Sequence, residues 1–190
     1  MVIIAPLTSN LRSKKMTNPG AVSVDLLIHA SWIVTGTDDQ RVHENACLVV
    51  ADGKIAGIVD SQSVATRYKG AMEIKLPGHA LMRGLVNIHG HAAMALFRGI
   101  ADDLSLHTWL EQYIWPMESK WVSEQFVYQG TQLAIAEMIR GGTTCFADMY
   151  FFPDASARAA TEAGMRVQLA SPVIDFPNPW SSSAEDAIQK

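Results

Sequence analysis

The sequence predicts an α/β protein: a small β unit near the N-terminus, then strands alternating with helices in the manner of a parallel sheet. Three observations carry that expectation. Two apolar runs flank an Asp52-Gly53 pair, a hairpin signal because tight turns need residues that accept positive φ. From residue 106 onward the apolar spacing switches between helical and extended with short joints, the signature of βαβ units. Between these two textures lies a short apolar run that ends in His89-Gly90-His91.

Taken in order, Val24 to Thr35 reads as the first strand, rich in Leu, Ile and Val, and Gly36-Thr37-Asp38-Asp39 as a turn cluster. Residues 46–50 and 54–59 form the hairpin around Asp52-Gly53. Residues 71–76, closed by Pro77-Gly78, complete a small antiparallel β unit. If 84–91 is a strand, alternation puts Leu85, Asn87, His89 and His91 on one face. Val86 and Ile88 then face the other way, against a covering helix. Leu106, Trp109, Leu110 and Tyr113 recur at helical spacing until Pro116 interrupts them. Ser123 is a good N-cap for a long amphipathic helix to Arg140, with Gly141-Gly142 as its stop. Strand 143–149, helix 154–163, strand 165–173 and the start of a capped helix at 181–190 follow. A closed (β/α)8 barrel takes about 250 residues. The chain therefore reads as the N-terminal portion of a larger enzyme, with a compact open α/β domain as the alternative.

Composition bounds the function. With 48% hydrophobic and 18% charged residues the chain is globular rather than disordered. A net charge of −4 argues against general binding to nucleic acid or to an anionic membrane. No apolar run approaches the roughly 20 residues that cross a bilayer. Cys47 and Cys145 have no metal-binding spacing and form no disulfide framework, which fits reduced thiols in the cytoplasm. At the N-terminus the apolar residues precede the basic ones, the wrong order for a signal peptide, so 1–22 reads as a disordered extension with Met16 as an alternative start.

Two imidazoles two residues apart at the end of a buried strand can converge on one cation, and imidazole suits zinc, iron, copper or nickel. The plainer reading is a pair of polar turn residues, because His-x-His spacing alone is a weak signal. Context favours a metal: the pair closes an apolar strand, sits beside small residues and precedes a loop carrying Arg98, Asp102 and Asp103. Enzymes of the barrel class keep their reactive groups at such strand ends.

Several motifs occur together: Gly84-Leu85-Val86-Asn87-x-His89-x-His91-Ala92-x-Met94, then Leu96-x-Arg98-Gly99-x-Ala101-Asp102-Asp103-Leu104, Trp109-Leu110, Pro116-x-Glu118, and Phe146-Ala147-Asp148-Met149-Tyr150-Phe151. In this combination the chain resembles the amidohydrolase superfamily over about 24–175. Within it the motifs are most similar to the 5-methylthioadenosine/S-adenosylhomocysteine deaminases, with the triazine-type chlorohydrolases close behind. The resemblance implies a TIM (β/α)8-barrel metal-dependent hydrolase, with 81–190 its first βα units and 23–80 part of a small β-sandwich. It implies that His89 and His91 ligate a divalent metal, zinc, with Fe2+ as the alternative, one per subunit. Glu118 takes the substrate-binding role, holding the ribose hydroxyls of a purine nucleoside, as a carboxylate able to accept from two neighbouring hydroxyls.

Trp109 and the Phe97-Arg98 loop are implied to shape the pocket, against core packing as the plainer role of Trp109. Asp148 either acts behind the ligands or caps the next helix, and His29, His43, His79 and His107 match no family position.

The implied activity is hydrolytic deamination of an adenine nucleoside by a zinc-dependent aminohydrolase acting on a non-peptide C–N bond. The implied assembly is a homo-oligomer. Guanine or cytosine deamination, triazine dechlorination and a non-catalytic remnant are the alternatives. Three departures stand out: Arg83 where the family usually has Pro, Gly90 between the histidines, and Ser171 where some relatives carry Arg in the substrate site. The remaining ligands and the proton-shuttling glutamate are expected from later strands, so no catalytic residue falls within 1–190 and this chain alone is expected to be inactive.

Overall fold

The computed structural model describes residues 20–36 and 41–190. The predicted N-terminal extension up to residue 19, and positions 37–39 of the predicted turn cluster, lie outside the described residues. The chain divides into two compact units at Gly84/Leu85.

The first unit is a four-stranded sheet in the order β3-β2-β1-β4, formed by β1 (Val22–Val34), β2 (Val42–Ala51), β3 (Lys54–Asp60) and β4 (Tyr68–Met82). Asp52 and Gly53 take φ of 50° and 70°, the left-handed pair that a two-residue hairpin between β2 and β3 requires. The predicted all-antiparallel pairing fails at β4, which runs parallel to β1. Between Asp60 and Tyr68 the chain makes a helical turn, α1 (Val64–Arg67), so β4 arrives by a crossover past β2 and β1 instead of by a hairpin. Pro77 and Gly78 do not end that strand. They form a bulge opposite Ser31, whose hydroxyl accepts the Gly78 N–H at 2.8 Å, and the edge position leaves a proline tolerable. Leu26, Ile28 and Ala30 anchor one apolar face; Leu27, Cys47 and Val49 pack with Val64 of α1 on the other.

The second unit is built on a parallel sheet in the order β5-β6-β7, from β5 (Leu85–Asn87), β6 (Thr143–Met149) and β7 (Arg166–Ala170). After β5 comes a 3-10 turn, 92–97, and then a helical stretch from 106 to 121 in three pieces: α2 (Leu106–Trp109), a π turn (Leu110–Ile114) and α3 (Trp115–Trp121). Pro116 was expected to interrupt this stretch. Instead it sits in the first turn of α3, where a missing N–H costs little, directly after the wider π turn has already broken the α ladder. α4 (Glu124–Gly141) begins as expected at Ser123, whose hydroxyl accepts the Phe126 N–H at 3.2 Å. α5 (Pro153–Glu162) and α6 (Ala184–Gln189) complete the unit.

α4 lies unusually close to the 3-10 turn. A β-carbon on Gly130 would stand 2.5 Å from the Ala93 carbonyl oxygen, so only glycine allows this approach. Around it Ala92, Ala134, Ile135, Phe146 and Ala159 form one apolar cluster, and Ala93, Phe97, Val127, Tyr150 and Phe151 a second. The covering helix expected over Val86 and Ile88 is not among the described residues: the two side chains are 60% and 83% exposed. Among the described residues no helix is long and apolar enough to cross a membrane.

Candidate metal centre

β5 is shorter than the apolar run suggests. Asn87 turns its side-chain oxygen back to accept the His89 N–H at 3.2 Å, and the strand ends there. His89 and His91 therefore lie in the loop beyond it, and the turn, not strand alternation, brings them together. Their rings meet edge to face, with centroids 5.3 Å apart and planes at 81°.

The end of β6 holds this loop at three points. Gly90 accepts the Met149 N–H at 3.2 Å, Asp148 Oδ1 accepts the Ala92 N–H at 2.7 Å, and His91 Nδ1 lies 2.8 Å from the Met149 carbonyl oxygen. A carbonyl only accepts, so in that contact Nδ1 carries the proton and Nε2 keeps its lone pair. Asp148 is only 3% exposed, and its second oxygen accepts from Ser156, which lies 3.2 Å from Thr131. Burial pushes the Asp148 carboxyl above its ordinary value, opposed by the Ala92 and Ser156 donors and by nearby His91. Asp148 thus acts from behind the histidine pair, pinning the backbone immediately after His91, and does not cap the next helix, whose N-cap is Phe152.

His89, Gly90, His91, Asp148 and Gln168 line part of a cavity of about 200 Å³. A neutral imidazole fixed through Nδ1 by a carbonyl, with Nε2 free, is the arrangement metal-binding histidines adopt. The donor chemistry of the pair fits a transition-metal ion. Among the described residues no group of three His, Cys, Asp or Glu comes together to complete a site, so the pair amounts to part of a coordination sphere.

Glu118 lies on α3 and is only 7% exposed. It is not a solvated helix residue: the Tyr150 hydroxyl donates to its Oε1 at 2.8 Å. Burial raises the Glu118 pKa, while the Tyr150 bond and His91 pull it down. Burial likewise pushes the Tyr150 phenol up. Trp109, at the end of α2, is half-buried and does not line the histidine cavity. The Phe97-Arg98 pair does not shape that cavity either. Phe97 is buried in the core beside Phe126, and Arg98 makes a two-pronged ion pair with Glu137 of α4 at 2.6–2.8 Å.

Sequence reasoning assigned nothing to Tyr150, Ser156 or the Met149 carbonyl. Tyr150 lies inside the quoted Phe146–Phe151 motif, but a phenol among aromatics carries no mark of a carboxylate partner 32 residues away.

Residues 80–190 match the model of the amidohydrolase family. The chain belongs to that family. This amidohydrolase is 51% identical over 175 residues to a 5-methylthioadenosine/S-adenosylhomocysteine deaminase of Saccharophagus degradans, an alignment covering 92% of this chain and 39% of the relative. It is 44% identical over 154 residues to a 5′-deoxyadenosine deaminase of Methanosarcina mazei, covering 81% of the chain and 34% of that protein. A crystal structure of a zinc-bound adenosine deaminase from Xanthomonas campestris superposes with a TM-score of 0.85 at 41% identity, over 89% of this chain and 38% of the other. An atrazine chlorohydrolase from Arthrobacter aurescens shares the fold, with a TM-score of 0.73 at 21% identity, over 86% of this chain and 41% of that one. The amidohydrolase chain thus spans about two fifths of the length of the curated relatives it matches, and its fold is the first strand-helix units of the family's barrel with a β unit before them.

Proposed function

We propose that this chain supplies the first metal-ligand pair and the nucleoside-holding carboxylate of an enzyme that deaminates an adenine nucleoside of the 5-methylthioadenosine/S-adenosylhomocysteine class. The observation that carries the reading is the fixed His89/His91 pair, with the His91 Nδ1 contact to the Met149 carbonyl directing the opposite nitrogen away for a metal. The names of the relatives support the substrate class. The reaction replaces the ring amino group with an oxygen from water and releases ammonia. A divalent ion, zinc in this proposal, supplies when bound the acidity that makes water a nucleophile near neutral pH.

The chain's own residues do the rest of their part by position. His89 and His91 would hold the ion, and Asp148 keeps their loop closed by accepting from Ala92. Glu118 accepts from the ribose hydroxyls and contributes affinity and orientation rather than bond-making. Trp109 borders the substrate further out, and a cytoplasmic homo-oligomer completes the proposal.

The test is kinetic and uses the full enzyme to which this chain contributes, loaded with zinc. Deamination of 5-methylthioadenosine is followed by the ultraviolet change from adenine to hypoxanthine. His91→Ala is expected to lose bound metal and to lower kcat/KM by about a thousandfold or more. Glu118→Gln is expected to raise KM for the nucleoside about tenfold, while any turnover of free adenine stays unchanged. A zinc-loaded, folded protein without deaminase activity would sink the reading, and an unmoved nucleoside KM in Glu118→Gln would remove the role of Glu118.

A further inference from the structure

The Glu118–Tyr150 pair joins two elements that the sequence keeps far apart. α3 carries the carboxylate; the segment leaving β6 carries the phenol, one residue after the Met149 carbonyl that holds His91. Both side chains are almost fully buried, at 7% and 6% exposure. No lysine or arginine is paired with Glu118, so the phenol O–H is the one donor the structure records for this carboxylate among the described residues. A buried carboxylate without a lysine or arginine depends on such a donor to replace the water it has lost. The bond also fixes which way the carboxylate faces. An O–H···O bond of 2.8 Å on one oxygen restricts the rotamer of the side chain and leaves the other oxygen to accept from a ligand.

We infer that Tyr150 is the positioning residue for nucleoside recognition: it holds Glu118 Oε1 so that the second oxygen is presented to vicinal hydroxyls of a ribose. The inference rests on the reading of Glu118 above and adds to it a partner and a direction. Tyr150 itself touches no substrate. Its effect is selective for the sugar, since the adenine ring needs nothing from Glu118. The position at the end of β6 gives the arrangement a further property: one short segment, 148–150, orients the histidine loop through Asp148 and Met149 and the sugar-binding carboxylate through Tyr150.

The experiment measures binding, so it does not depend on turnover. Equilibrium dialysis of metal-free protein against 5-methylthioadenosine and against adenine gives the ratio of the two dissociation constants for wild type, Glu118→Gln and Tyr150→Phe. Wild type is expected to prefer the nucleoside, and each variant to reduce that preference about tenfold without changing adenine binding. The double variant is expected to lose no more than either single one. Loss of preference in Glu118→Gln with full retention in Tyr150→Phe overturns the inference and leaves the Glu118 reading standing. Retention in Glu118→Gln, or no preference in wild type, overturns both. Equal weakening of adenine and nucleoside in Tyr150→Phe marks a merely structural role and overturns the inference alone. Should Tyr150→Phe not fold, 4-aminophenylalanine placed at position 150 keeps the ring and an N–H donor, and retained preference is then required.

Discussion

Glu118 shows how much one side chain's surroundings decide. A carboxyl whose proton is held more tightly in the folded chain than in the unfolded one stabilises the fold at low pH. That stabilisation is present below the ordinary value of 4.5 and is lost as pH rises through the raised folded value. Gln at this position keeps an oxygen to accept from Tyr150 and removes the titration. Chelator-treated wild-type protein is therefore expected to lose Tm on going from about pH 4 to about pH 7 more steeply than Glu118→Gln. Thermal denaturation monitored by circular dichroism at each pH checks this, and parallel curves for the two proteins would contradict it. The sequence marked Glu118 through the Pro116-x-Glu118 motif and could not mark its partner. A hydrogen bond between residues 118 and 150 is a product of packing, and neither residue's local pattern contains it. His89 and His91 were legible as a pair, whereas the carbonyl that chooses the His91 tautomer belongs to a backbone and has no residue type to read.

Among the elements, those whose limits are set locally match the sequence reading closely. Ser123 and Gly142 bracket α4, and strand 143–149 is bounded as its apolar content predicts, because capping and turn chemistry act over a few residues. Where a tertiary contact decides, the reading fails. β4 pairs parallel to β1, since direction depends on a crossover rather than on the strand's own composition. The pairing of α4 with the 3-10 turn belongs to the same class. A side chain at Gly130 would meet the backbone at Ala93, two residues after His91, and backbone yields less readily than a flexible tip. Gly130→Val is expected to destabilise the fold by about 1–3 kcal/mol and, on the proposed metal role of His89 and His91, to weaken zinc uptake together with it. Urea denaturation with and without zinc separates the two effects. A variant as stable as wild type would show that the two elements can part without cost.

For the chain as a whole, apolar surface is the dominant feature left over. Leu85 and Val86 of β5 and Ile88 just beyond it are 45%, 60% and 83% exposed, and among the described residues β5 has a neighbouring strand on one side only. Exposed apolar groups on an open strand edge invite pairing with another chain. The 190-residue polypeptide is expected to self-associate in a concentration-dependent way. Lysine at both positions 86 and 88 is expected to shift it towards monomer in sedimentation velocity. Identical profiles for the two proteins would place the association surface elsewhere. The barrel character of the second unit was legible from alternating textures, yet which faces stay open could not be, because burial belongs to the set of neighbours and not to the strand.

The π turn at 110–114 has a consequence for Glu118 that follows from helical arithmetic. A π turn takes up one surplus residue within a single wider turn, so the helical segments on either side of it keep their facing. Excising a single position within it, Gln112, would return the stretch to an uninterrupted α-helix and leave the carboxylate turned towards the phenol. Such a deletion is expected to keep the preference for nucleoside over adenine, whereas one residue added within α3 ahead of Glu118 would rotate the carboxylate by about 100° and abolish it. The slack in the wall that carries the carboxylate lies in that one loosened turn.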